Sequence, residues 1–147
     1  MLALVEHTHH GAVAVHRTFL RDDGSGKANI EPVKASLGPV GGGAVRFGTP
    51  RVGEWLAIAE GIETALAVAF SCRMPVWAAL SEGGVRNLIL PPEATDVVIC
   101  CDHDANGVGQ RAADNAAKRF LSEGRRVRIA FPPAVDSDFA DMLAGFA

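Results

Sequence analysis

Three carboxylates stand where this chain could do chemistry. Asp102 and Asp104 sit one residue apart, after the apolar run 97–101 and before Asn106-Gly107 and a helical pattern. Glu60 follows a second apolar run, 55–59, with Gly61 behind it and another helical pattern beyond. An apolar run without alternation reads as a strand buried on both faces, which is how parallel sheets are built. In open α/β sheets, ligands sit beyond the carboxyl ends of the strands. If the two strands are neighbours, as in a strand order 2-1-3-4, the three acids converge. Converging carboxylates repel and raise one another's pKa, and a divalent cation relieves that cost. Hard oxygen donors point to Mg²⁺ or Mn²⁺.

Other readings of the same residues explain less. One aspartate would suffice to cap a turn and the helix after it, and an Asp-x-Asp with a distant Glu-Gly is more than capping needs. Asp102-x-Asp104-x-Asn106-Gly107 opens like an EF-hand loop. Position twelve is then Ala113 where a bidentate Glu belongs, and the preceding segment reads as a strand. A phosphatase with an aspartate nucleophile is chemically feasible but leaves Glu60 without a role.

The elements that must position these acids follow from the rest of the chain. Its 147 residues are 48% hydrophobic and 21% charged, enough for one domain with a sizeable core. Net charge is -3, so no global basic footprint points to nucleic acid. Residues 1–51 nevertheless carry six Lys/Arg against four acids, and the remainder eight against thirteen. Three cysteines without a CxxC give neither a disulfide framework nor a zinc site, which fits a reducing cytoplasm. No apolar run approaches the ~18 residues of a membrane span.

Residues 2–5 and 12–20 read as a hairpin with Gly11 in or near its turn. The chain opens almost on a strand, as a fragment of a longer protein or a short protein lacking an upstream domain would. His7, His9 and His10 between the strands read as exposed turn histidines rather than metal ligands. Residues 22–53 are rich in Gly, Pro, Asp and Ser, and read as loop. Gly41 to Gly43 read as a flexible connector, although such glycines could admit a phosphate. Ile62, Ala65, Leu66, Ala69 and Phe70 mark a helical stripe after Glu60. Residues 75–80 form a third strand, and 85–90 stay undecided. Ala113, Ala116, Ala117, Phe120 and Leu121 mark a helix ending at Gly124. Residues 126–131 make a fourth core strand, and an acidic loop from Asp136 runs into a short last helix. The expected fold class is α/β, a mostly parallel four-stranded sheet flanked by helices with an N-terminal β-hairpin extension. Residues 1–53 would be a Gly/Pro-rich basic lead-in and 54–147 the catalytic or metal-binding domain.

With both strand ends in hand, a resemblance emerges. Glu60-Gly-Ile-Glu-Thr-Ala-Leu66, followed some forty residues on by Val98-Ile-Cys-Cys-Asp-His-Asp-Ala-Asn-Gly107, resembles the Rossmann-like Toprim domain of primases, topoisomerases and some nucleases. It covers about residues 55–143. His16-Arg-Thr-Phe-Leu20 and Gly38-Pro-Val-Gly-Gly-Gly-Ala-Val-Arg46 look like the lead-in of primase-type Toprim proteins of phages and mobile elements.

The resemblance implies roles residue by residue. Glu60 matches the glutamate used in acid/base work or metal binding, and Asp102 and Asp104 match the metal-binding Asp-x-Asp. Asp138 and Asp141 match a late Asp-Phe-x-Asp pattern. Relatives often show Gly-Lys before it where this chain has Asp136-Ser137, which removes one phosphate contact. Glu63, one helical turn past Glu60, is either a second-shell group or a solvated helix residue. Arg17, Lys27, Lys34 and Arg46 are the basic side chains that would hold a nucleic-acid backbone. The implied function is Mg²⁺-dependent nucleotidyl transfer in DNA replication. NTPs and a single-stranded DNA template would be its partners, with a replicative helicase as a further candidate. The alternatives are a non-catalytic metal- or nucleotide-binding module and a nuclease on the same scaffold.

Overall fold

The computed structural model describes residues 1–101, 108–132, 137 and 139. Eight strands form one sheet: β1 (Leu2–His7), β2 (Gly11–Thr18), β3 (Lys34–Leu37), β4 (Gly43–Phe47), β5 (Trp55–Ala59), β6 (Val76–Ala78), β7 (Asp96–Cys100) and β8 (Arg126–Ala130). Their order across the sheet is β3-β2-β1-β4-β6-β5-β7-β8. The last four are mutually parallel and stand in the expected 2-1-3-4 arrangement. In register, Ala59 lies beside Cys100, so β5 and β7 end together.

Among the described residues three helices cover this parallel half: α1 (Ile62–Cys72), α2 (Glu82–Asn87) and α3 (Val108–Ser122). The two-residue period of each strand divides the core into two layers. Leu56, Ile58, Val97 and Ile99 pack with Trp77, Val85, Ala113, Ala116 and Phe120 on the side of α2 and α3. Ala57, Ala59, Val76 and Ala78 pack with Ile62, Ala65 and Val68 on the side of α1. Phe139 joins this second layer. The end of α3 follows from its sequence. Gly124 takes φ +83°, its N–H bonds Leu121 O at 3.0 Å, and Arg125 N–H bonds Phe120 O at 3.1 Å. That is a Schellman closure, which needs a residue free to adopt left-handed backbone.

Three expectations are corrected. Residues 22–53 are not all loop, since β3 and β4 lie among them. Gly41 to Gly43 are not a free connector. Gly43 opens β4, and Gly42, at φ +76°, packs so closely that a Cβ there would meet the His7 ring. The N-terminal hairpin is present as expected, and β4 joins it to the parallel strands, pairing with β1 on one side and with β6 on the other, both antiparallel. The stripe of α1 is also rotated from the expected one. Leu66 and Phe70 are exposed, while Ile62, Ala65 and Val68 are buried. The sheet beneath α1 is lined by alanines, and small or branched side chains let the helix sit close to it. The undecided segment 85–90 takes in the second half of the short helix α2, which is held at its start by Gly84 N–H donating to Ser81 Oγ at 2.9 Å.

Candidate active site at the carboxyl edge of the sheet

Glu60 leaves the carboxyl end of β5, and its own carbonyl accepts a 2.8 Å hydrogen bond from Leu80 N–H at the end of β6. Glu60 stands on a ridge between two clefts. One cleft is lined by Glu60, Glu82, Val85, Ile99, Cys100, Cys101 and the first turns of α3 at Gly109, Ala112 and Ala113. Cys101 is the residue immediately before Asp102. Asp102 and Asp104 themselves, like Asp138 and Asp141, lie outside the described residues.

The second cleft is lined by Lys27, Lys34, Glu60, Gly61, Glu63, Thr64 and Leu80. Here the lead-in reaches the parallel sheet. Lys27 Nζ lies 2.9 Å from Glu63 Oε1, and Lys34 Nζ lies 3.3 Å from Glu63 Oε2. Burial pushes the Glu63 carboxyl up. The Lys27 hydrogen bond, a bond to its own backbone N–H and the two lysine charges outweigh that and bring it down to about 2. Behind Lys34, His16 Nδ1 lies 2.9 Å from Ser36 Oγ. Burial and the Lys34 charge lower its pKa, against the pull of Glu63.

The four basic residues expected to hold phosphate thus divide. Lys27 and Lys34 meet beside Glu60. Arg17 lies on the opposite face of the hairpin, since it alternates with the inward-facing His16 and Thr18, and its guanidinium lies 5.3 Å from the Phe19 ring. Arg46 stacks 3.9 Å from the Trp77 ring centroid and reaches Glu6 O and Thr8 Oγ1. It lines a separate hollow with Glu6 and Glu93. His7, His9 and His10 cluster in the β1–β2 turn, with His7 buried and accepting from His9 N–H at 3.1 Å through Nδ1.

Glu82, Thr64 and Leu80 line the clefts without having been singled out in the sequence. Glu82 carries the Ser-x-x helix-start signal of its neighbour Ser81, which could have placed it at a strand end. Leu80 adopts φ +71°, a conformation with no signal in a leucine. It is the kind of strain that functional edges tolerate.

Glu60 and Glu82 give the first cleft carboxylate oxygens, a donor chemistry suited to a hard cation such as Mg²⁺ or Mn²⁺. Among the described residues no group of three His, Cys, Asp or Glu side chains stands together to hold a metal ion.

A parallel sheet with an acidic carboxyl edge, flanked by helices on both faces and extended by an antiparallel lead-in, defines the class of fold. Residues 55–145 match the Toprim domain, and the chain belongs to that family. Residues 1–47 match a domain of unknown function. A comparison with curated proteins finds no match. Among solved structures, the Aquifex aeolicus primase (zinc-binding and RNA polymerase domains) superposes with a TM-score of 0.67 at 17% identity, over 99% of this chain and 36% of that one. A DNA primase domain from Pseudomonas aeruginosa gives 0.55 at 19% identity, over 97% and 52%. A DnaG primase catalytic domain bound to single-stranded DNA gives 0.57 at 16% identity, over 97% and 54%. The chain spans about half the length of these structures or less. The fold is that of a primase-type Toprim core. Among the described residues, no helix is long and apolar enough to cross a membrane.

Proposed function

We propose that this chain is the Mg²⁺-dependent nucleotidyl-transfer core of a primase-like protein, acting in the cytoplasm on NTPs and a single-stranded DNA template. The observation that carries the reading is the position of Glu60, which borders both the cleft entered by Cys101 and the cleft holding Lys27 and Lys34. Carboxylates on one side and ammoniums on the other suit a ligand that carries both a metal and phosphates. The primase folds it resembles, one of them with single-stranded DNA bound, support this choice.

Glu60, Asp102 and Asp104 would hold the cation, with Asp138 and Asp141 as further oxygen donors. When bound, Mg²⁺ neutralises phosphate charge and stabilises charge developing in the displacement. The remaining steps belong to the chain's own residues. Glu60 takes or relays the proton of the attacking hydroxyl. Lys27 and Lys34 orient the phosphates from the other rim. Arg17 and Arg46, on other surfaces, contact the nucleic-acid backbone farther out. Residues 1–53 act as the lead-in that supplies the lysines, and 54–147 as the catalytic domain.

The purified chain, given template, NTPs and Mg²⁺, is expected to make short RNA primers, and Asp102→Ala to abolish them. Equal activity in the two proteins would remove the site from this edge. Asp136-Ser137, standing where the family often has Gly-Lys, favours one second reading, a module that binds metal or nucleotide without turnover alone. It predicts Mg²⁺-dependent thermal stabilisation with no primers and no cleavage of labelled single-stranded DNA in Mn²⁺.

A further inference from the structure

The lysine cleft already contains an anion. Lys27 approaches one oxygen of Glu63 and Lys34 approaches the other, so a single carboxylate is clasped at both ends. Two oxygens of a phosphate group have nearly the same spacing and would address the same two ammoniums. We propose that Glu63 is the specificity-determining residue of this cleft: it is the resident anion of the Lys27–Lys34 seat, and it sets how much charge a ligand must bring to enter.

The inference rests on the reading that the seat takes phosphate, and it deepens that reading. Three observations carry it. The first is the charge inventory of the cleft among the described residues, where two ammoniums face two carboxylates, Glu63 and Glu60. Among these the balance is zero, so a lone monoanion finds no net attraction from them. The second is tethering. Glu63 is fixed on α1, so its effective concentration at the lysines is on the order of mM or more, typical of a short linkage. A free monoanion offers nothing that the resident does not already supply. The third is exposure. The side chains of Lys27, Lys34 and Glu63 are 46%, 37% and 38% exposed, and ion pairs so open to solvent are weak. A ligand with several adjacent negative charges therefore displaces the resident readily. The cleft favours polyphosphates over monophosphates, and monophosphates over carboxylates, with no need for a shape filter. Glu63 stays ionised at every working pH, because its carboxyl titrates at about 2.

The test uses the intact chain in EDTA at low salt, with orthophosphate, pyrophosphate and tripolyphosphate titrated calorimetrically. In the wild-type protein, affinity is expected to climb steeply from orthophosphate to tripolyphosphate. Glu63→Gln should bind orthophosphate at least several-fold more tightly and compress the ratio between the two extremes. Glu63→Asp, which keeps the charge one methylene farther back, should fall between them. Lys27→Ala/Lys34→Ala should lose all three ligands. If folded Glu63→Gln binds orthophosphate no better than wild type, the carboxylate is only a brace for the lysines and the inference is overturned. If the wild-type protein binds none of the three, the seat itself is refuted. Polyphosphate binding that shows the Glu63 effect, in a chain that makes no primers, would overturn synthesis alone and leave the inference standing.

Discussion

Glu63 shows how the role of one side chain can stay open in a sequence. Its place one turn past Glu60 suggested either a group supporting the metal ligands or a solvated residue, and nothing local distinguishes the two. Its partners come from Lys27 and Lys34, which reach it only because the sheet carries the lead-in alongside α1. The residue also makes a pH prediction. Its folded pKa of about 2 lies below the ordinary 4.5. A depressed carboxyl contributes stability that is present above the unfolded value and lost as pH falls through the folded one. Glu63→Gln should therefore unfold more easily than wild type at pH 7, by roughly 1 kcal/mol given the solvent screening of such pairs. The gap should close between about pH 4.5 and pH 2. Urea midpoints across that range check it, and a constant gap would mean that the ion pairs contribute nothing.

At the scale of elements, the apolar runs were legible because burial on both faces leaves a strong mark. Residues 55–59 and 97–101 announced β5 and β7, and Gly61 after Glu60 marked the turn into α1. β3 and β4 were not legible. Residues 34–47 are crowded with Gly, Pro and Ser, which locally favour turns, and their strand state comes from partners 16 to 38 residues away. The face of α1 was misjudged for a related reason, since the alanine-lined sheet beneath it decides which stripe fits. The turn from β6 into α2 makes a sharp prediction. A Cβ at Gly84 would overlap the Ala79 carbonyl, whereas one at Gly83 meets only Ser81 Oγ at 3.9 Å. Gly84→Ala should lose about 1–3 kcal/mol or more through overpacking. Gly83→Ala, in an ordinary helical position, should gain up to ~1 kcal/mol. Thermal melts of the two variants should move in opposite directions, and matching shifts would contradict the close approach.

At the scale of the whole molecule, β4 covers the edge of β6, whose Val76, Trp77 and Ala78 are fully buried or nearly so. Residues 54–147 expressed alone would open that edge and uncover the Trp77 ring. An unprotected apolar edge strand promotes association. The fragment is expected to aggregate, while the full chain stays monodisperse in size-exclusion chromatography. A folded, monodisperse fragment would show that the lead-in is dispensable to the sheet. The Asp-x-Asp motif itself was plain in the sequence, whereas the cleft lined by Glu60 and Cys101 became visible only once β5 and β7 were seen to end together.

The antiparallel insertion of β4 also bears on recombination. The two family matches change over between residues 47 and 55, just past the end of β4. A chimera that imports a foreign lead-in must therefore import its own β4, which then has to knit onto the host at Val45–Ala78, Arg46–Trp77 and Phe47–Val76. The tolerant splice point is the short stretch from Gly48 to Gly53, and crossovers placed upstream of Gly43 should yield unpaired hybrids.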